Sequence, residues 1–159
     1  MALNEEGIPD TVEKRVEHAE YILKKALEYG LKKEDIIIDC LTLTVSAQQE
    51  QAVNTLRAVE IVSKKMGLNT TLGVSNISFG LPERKNITES FLIQAMYAGL
   101  NLPIINPNIS SHMDAVVSFR VLSGEDENCN KYIERFANVK SEEEAKPKKV
   151  LSHDESIES

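Results

Sequence analysis

A chain of 159 residues, 42% hydrophobic and 27% charged, is the size of one domain and can bury one sizeable core. Its formal charge of -7, with lysines and arginines scattered among acids, excludes a nucleic-acid surface, which needs a basic stripe to meet phosphates. No apolar run approaches the roughly 18 residues of a membrane span, and the start MALNEEGIPDT has neither the basic nor the apolar segment of a signal peptide.

In chain order, the first helix opens at Asp10 and Glu13, which have capping-box spacing, and carries Val12, Val16, Ala19, Leu23, Ala26 and Leu27 on one stripe. It stops at Gly30-Leu31, and Ile36-Ile37-Ile38 reads as a strand. The second helix opens with Ser46 and Gln49 at the same capping spacing, carries Ala52, Leu56, Val59, Val62 and Met66, and stops at Gly67-Leu68. A strand over Thr71-Leu72-Gly73-Val74 leads into SNISFGLPER. The third helix runs from Ile87 to Ala98 with Asn86 or Thr88 as cap, and Gly99-Leu100 ends it. Pro103-Ile104-Ile105 is the third strand. A fourth helix starts near Ser111, carries Met113, Val116, Val117 and Val121 and ends by Gly124, with a short amphipathic piece over Asn130 to Phe136. The globular part is read as residues 1–137. Residues 138–159, charged and without period, read as a disordered linker or tail.

The three Gly-Leu joints define a repeat. Glycine takes the left-handed conformation at a helix C-terminus and the next leucine packs back on the last turn. A helix, a strand and two short loops need about 30 residues, the spacing at which the joints recur. Short, continuously apolar strands alternating with helices indicate an α/β fold with parallel strands covered by helices. No G-x-G-x-x-G follows any strand, so a barrel-type array fits better than a nucleotide-binding doubly wound sheet.

Polar groups follow each strand at once: Asp39; Ser75 and Asn76; Asn106, Pro107 and Asn108. In a parallel array all of these fall on the C-terminal rim, where such folds bind ligands. Turn chemistry alone also explains Asn106-Pro107-Asn108, and an Asp at a strand end also serves as a cap. Ser75-Asn76 is harder to explain that way, because Ser75 to Lys85 is long for a strand-to-helix loop and contains Phe79 and Leu81. There is no Cys-His or Ser-His pairing for covalent catalysis and no phosphate loop. His18, His112 and His153 share no metal spacing. Cys40 and Cys129, far apart, read as reduced thiols of a cytoplasmic protein. One carboxylate among carboxamides and hydroxyls suits a flat polar heterocycle, since a carboxylate accepts two parallel N–H bonds.

DIIIDCLTL, TLGVSNISFGLPER and LPIINPN, in that order, resemble the pterin-binding domain of cobalamin-dependent methionine synthase and of methyltetrahydrofolate:corrinoid methyltransferases. The resemblance covers residues 5 to 137 and implies part of a TIM barrel related to dihydropteroate synthase, with 5-methyltetrahydrofolate in its mouth. By that resemblance Asp39 binds the amino-pyrimidine edge, Asn76 acts at N5, which carries the methyl group, and Ser75, Arg84 and Asn106 support them. The methyl acceptor it implies is a corrinoid cobalt carried by a separate domain or protein. The chain departs from the family in having Asp39-Cys40 where Asp-Pro is frequent. It also matches only the later barrel strands, with Met1-Ala2-Leu3 as a remnant of one more. A fragment with open sheet edges is therefore expected, one that self-associates. The competing reading is a non-catalytic partial barrel that only folds or self-associates. A dihydropteroate synthase is disfavoured, since that family has Ser-Arg-Lys where Ser75-Asn76-Ile77 stands here.

Overall fold

The computed structural model describes residues 1–3, 5 and 7–139, so the charged stretch from residue 140 onward lies outside the described residues. The helix-closing joints form as the sequence predicts. Gly30, Gly67 and Gly99 take positive φ, and the amide of each following leucine reaches back five or six residues. Leu31 N donates to Ala26 O at 3.1 Å, Leu68 N to Val62 O at 3.1 Å and Leu100 N to Ala95 O at 2.9 Å.

Between the joints run α1 (Val12–Glu28), β1 (Ile37–Asp39), α2 (Glu50–Glu60), β2 (Asn69–Gly73), α3 (Arg84–Ala98), β3 (Leu102–Ile104), α4 (Ser110–Leu122) and α5 (Asn130–Phe136). Helix α2 continues into a wider turn over Ile61–Lys65 before its glycine. The strands form one parallel sheet in the order β1-β2-β3, with Asp39 opposite Thr71 and Gly73 opposite Ile104. Ile38, Thr70 and Leu72 are buried on one face of the sheet. Ala19, Val59, Val62, Leu92 and Ala95 from α1, α2 and α3, with the turn after α2, share the core with Ile38 and Leu72. The opposite face is open: Ile37, Leu102 and Ile104 are 52%, 43% and 62% exposed. A helix-covered outer face and an open inner face are the arrangement of part of a TIM barrel.

Several boundaries differ from the sequence reading. Thr11, not Asp10, caps α1, its Oγ1 accepting from Lys14 N at 3.3 Å. The Asp10 carbonyl accepts instead from Gln51 Nε2 and Asn54 Nδ2 of α2. Ser46 does not cap α2, which starts at Glu50. Helix α3 begins at Arg84, ahead of both Asn86 and Thr88, because Glu83 turns the chain at φ 44°. Met1-Ala2-Leu3 forms no strand, although Ala2 N donates to Asp39 O at 2.9 Å. Strand β1 begins at Ile37 and ends on Asp39 itself, and β2 starts two residues early, at Asn69.

Arg15 joins α1, α2 and the end of β1. It is 1% exposed and donates to five acceptors: Pro9 O at 3.1 Å, Cys40 O at 3.4 Å, Leu41 O at 3.2 Å, Thr55 Oγ1 at 2.9 Å and Gln51 Oε1 at 2.6 Å. Burial lowers its pKa, yet a guanidinium stays charged, and here carbonyl dipoles and an amide solvate it. Replacing Arg15 with Met leaves most of these acceptors unpaired, since only Leu41 O keeps a donor, Thr55 Oγ1 at 3.1 Å. Urea denaturation of Arg15→Met is expected to show a loss of about 3 kcal/mol. Arg15→Lys should recover only part of it, because an ammonium cannot span the same fork.

Candidate functional site

Asp39 ends β1 on the open face, its side chain half-buried. Its Oδ1 accepts from Leu41 N at 2.9 Å. The bond fits a backbone that turns sharply, with Leu41 at φ 66°, a left-handed conformation that a leucine adopts only where its surroundings impose it. Arg15 imposes it by holding the Cys40 and Leu41 carbonyls from behind. A buried guanidinium stiffens this loop. One Asp39 oxygen is thus engaged once, and a carboxylate retains capacity for two further N–H donors.

Asn76 lies in the short helical turn Val74–Ser78 that follows β2 directly. Its carboxamide folds back over the strand end: a Cβ on Gly73 would stand 3.0 Å from Asn76 Nδ2. Gly73 lies one pleat above Thr71, the residue paired with Asp39. A parallel register keeps paired side chains on one face, so the carboxylate of β1 and the carboxamide beyond β2 share the open face on neighbouring strands. Any side chain at 73 would occupy the space that Asn76 uses.

The other residues named from the sequence are used locally. Arg84 Nε donates to Ser78 Oγ at 3.1 Å and its Nη2 to Ser75 O at 2.8 Å, with the guanidinium 5.6 Å from the Phe79 ring centroid. It closes the turn that carries Asn76. The Ser75 side chain is exposed. Asn106 Oδ1 accepts from Asn108 N at 3.0 Å, a turn-forming bond that leaves its NH₂ group uncommitted. Among the described residues no cluster of His, Cys, Asp and Glu could hold a metal ion. None of their helices is long and apolar enough to cross a membrane.

A family model described as "Pterin binding enzyme" matches residues 1–106. The chain belongs to that family. It is 31% identical over 141 residues to a methylcorrinoid:tetrahydrofolate methyltransferase of Eubacterium limosum, covering 88% of this chain and 52% of that protein. It is 38% and 35% identical over 114 residues to the methionine synthases of Mycobacterium leprae and Mycobacterium tuberculosis, each match covering 67% of this chain and 10% of the synthase. The chain thus spans about half the length of the first of these relatives and a small part of the other two.

Sequence reasoning missed two supports of this rim. Gly73 looked like an ordinary strand residue, although a glycine inside a strand often marks close approach by another group. Arg15 looked like one of many charges on a helix. The thiol beside Asp39 is also set by its surroundings. Both cysteines are free, but burial, then the charge of Asp39, pushes the Cys40 thiol up to about 12. Iodoacetamide at mildly alkaline pH should therefore label Cys129 and leave Cys40 unmodified until the protein is unfolded, as read by peptide mass spectrometry.

Proposed function

We propose that this chain supplies the pterin-recognition rim of a methyltransferase that moves the N5 methyl of 5-methyltetrahydrofolate to the cobalt of a corrinoid on a separate domain or protein. The observation that carries the reading is the pairing of Asp39 and Asn76 at neighbouring strand ends on one open face, with Gly73 leaving room for the carboxamide. The Eubacterium limosum relative is named for methyl transfer between a methylcorrinoid and tetrahydrofolate, which supports the same chemistry.

In this reading the Asp39 carboxylate accepts the paired N–H groups of the amino-pyrimidine edge and so fixes the orientation of the pterin. Asn76 stands at N5. For the methyl group to depart to cobalt and leave a neutral N5–H amine, N5 must take a proton from solvent and with it positive charge. A carboxamide oxygen accepting from that N–H binds more strongly as the charge grows, so it favours the transition state over the ground state. Ser75 and Arg84 act through the shape of the turn, and the free NH₂ of Asn106 is an additional donor at the third strand end. The corrinoid supplies the cobalt that receives the methyl group.

Equilibrium titration with 5-methyltetrahydrofolate tests this. The wild-type chain should bind saturably, and Asp39→Asn should weaken binding by at least about tenfold, the loss of one charge-assisted contact. Asn76→Ala should reduce methyl transfer to a corrinoid protein more than it reduces folate binding. Unchanged affinity in Asp39→Asn would remove the carboxylate from the site.

The exposed Ile37, Leu102 and Ile104 favour a second property, self-association through the open sheet face. Sedimentation velocity should show a dimer or larger species whose population rises with protein concentration, and Ile104→Lys should shift it to monomer. A wild-type chain that stays monomeric at high concentration would sink this part of the reading.

A further inference from the structure

We infer that Thr44 and Ser46 are positioning residues that hold the rim loop after β1 against the Asn76 turn after β2, a role that rests on the pterin reading above. Both hydroxyls converge on one backbone oxygen: Thr44 Oγ1 donates to Phe79 O at 2.7 Å and Ser46 Oγ to the same atom at 2.8 Å. A carbonyl oxygen has two lone pairs, and here both are taken by side chains of the neighbouring loop. Val45 N donates to Ile77 O at 3.0 Å between them. Three consecutive residues of the Asp39 loop therefore grip the segment that starts with Asn76.

Gly80 makes the grip possible. Its φ of +81° is left-handed, and a Cβ there would stand 3.1 Å from Ser46 Oγ. A side chain at 80 would be strained and would also press on one of the two hydroxyls. On the far side, Arg84 and Ser78 close the same turn, and Phe79 N donates to Asn76 O at 3.2 Å. The turn is thus gripped from both sides, by α3 through Arg84 and by the β1 loop through Thr44 and Ser46. What the grip fixes is the separation of two groups at neighbouring strand ends, the Asp39 carboxylate and the Asn76 carboxamide. Binding a rigid bicyclic ring between two such groups depends on that separation being held before the ligand arrives.

The test removes the hydroxyls without changing shape. Thr44→Val/Ser46→Ala should remain folded, lose about tenfold in 5-methyltetrahydrofolate affinity, and recover it in Thr44→Ser/Ser46→Thr, which keeps both hydroxyls. Combined with Asn76→Ala, the hydroxyl deletions should cost little more than Asn76→Ala alone, because they act through the position of Asn76. Additive losses, or no loss, would overturn the inference. Amide hydrogen exchange in the same variants needs no folate: protection at Phe79 and Leu81 should fall when the hydroxyls are removed and return in the swapped pair. If wild type binds no folate, the pterin reading is what fails. The exchange result then decides the clasp alone, and unchanged protection would overturn it.

Discussion

The end of β1 depends on one buried charge. Arg15 sits in α1, yet its guanidinium reaches through the interior to the two carbonyls that follow Asp39 and to Thr55 and Gln51 of α2. Removing a guanidinium from water is expensive; its hydrogen bonds go to backbone carbonyls, a hydroxyl and a carboxamide, and the nearby charge of Asp10 also favours its charged form. Most of the acceptors it satisfies would otherwise lack a donor inside the helix–sheet contact. The same contact forces the loop into the left-handed step at Leu41, and that step lets Asp39 finish its strand with the carboxylate on the open face. Stability and the geometry at Asp39 therefore rest on one side chain buried behind the strand end.

The two ends of the sheet are built differently. At the N-terminal end, Asn101 Nδ2 donates to Asn69 Oδ1 at 2.7 Å while its Oδ1 accepts from Thr70 N at 2.9 Å. Asn69 Nδ2 in turn reaches Glu34 O at 3.2 Å, and Thr70 Oγ1 reaches Gly99 O at 3.1 Å. These amides are spent on each other and on the backbone, and they join the strand starts to the loops before them. At the C-terminal end a carboxylate and a carboxamide keep capacity to spare. A parallel sheet concentrates function at one end because its loops converge there, and the opposite end is free to be closed for stability.

Much of this was legible in the sequence because it depends on local chemistry. The Gly-Leu joints require only a left-handed residue and an apolar one, and all three formed where the letters put them. The apolar stripe of α1 also held, except that Leu27 is 50% exposed. What was not legible involves partners distant in sequence. Ser46 and Gln49 have capping spacing, but Ser46 satisfies a carbonyl 33 residues away instead of its own helix. Arg15 reads as a surface charge until α2 and the β1 loop are placed around it. Asn106, equally readable as ligand or turn, uses its oxygen in a turn. Spacing rules identify what a residue could do locally, and tertiary contacts decide whether it does so.

The stretch GVSNISFGLPER shows why such a run is specific. Gly73 clears space for Asn76. The Val74 and Ile77 side chains are buried and anchor the turn in the core. Ser78 bonds Thr88 of α3 at 2.9 Å and receives Arg84. Phe79 offers its carbonyl to the neighbouring loop, and Gly80 supplies the backbone angle that this requires. Glu83 takes the left-handed step that starts α3, putting Arg84 at the first turn of the helix, within reach of Ser75 O. Ser75 and Asn76 are then the two side chains of the turn left exposed. Almost every other residue of the run constrains the backbone on which Asn76 sits. Such a motif is hard to keep without also keeping the position of one carboxamide, and the role proposed for Asn76 requires that its position be held.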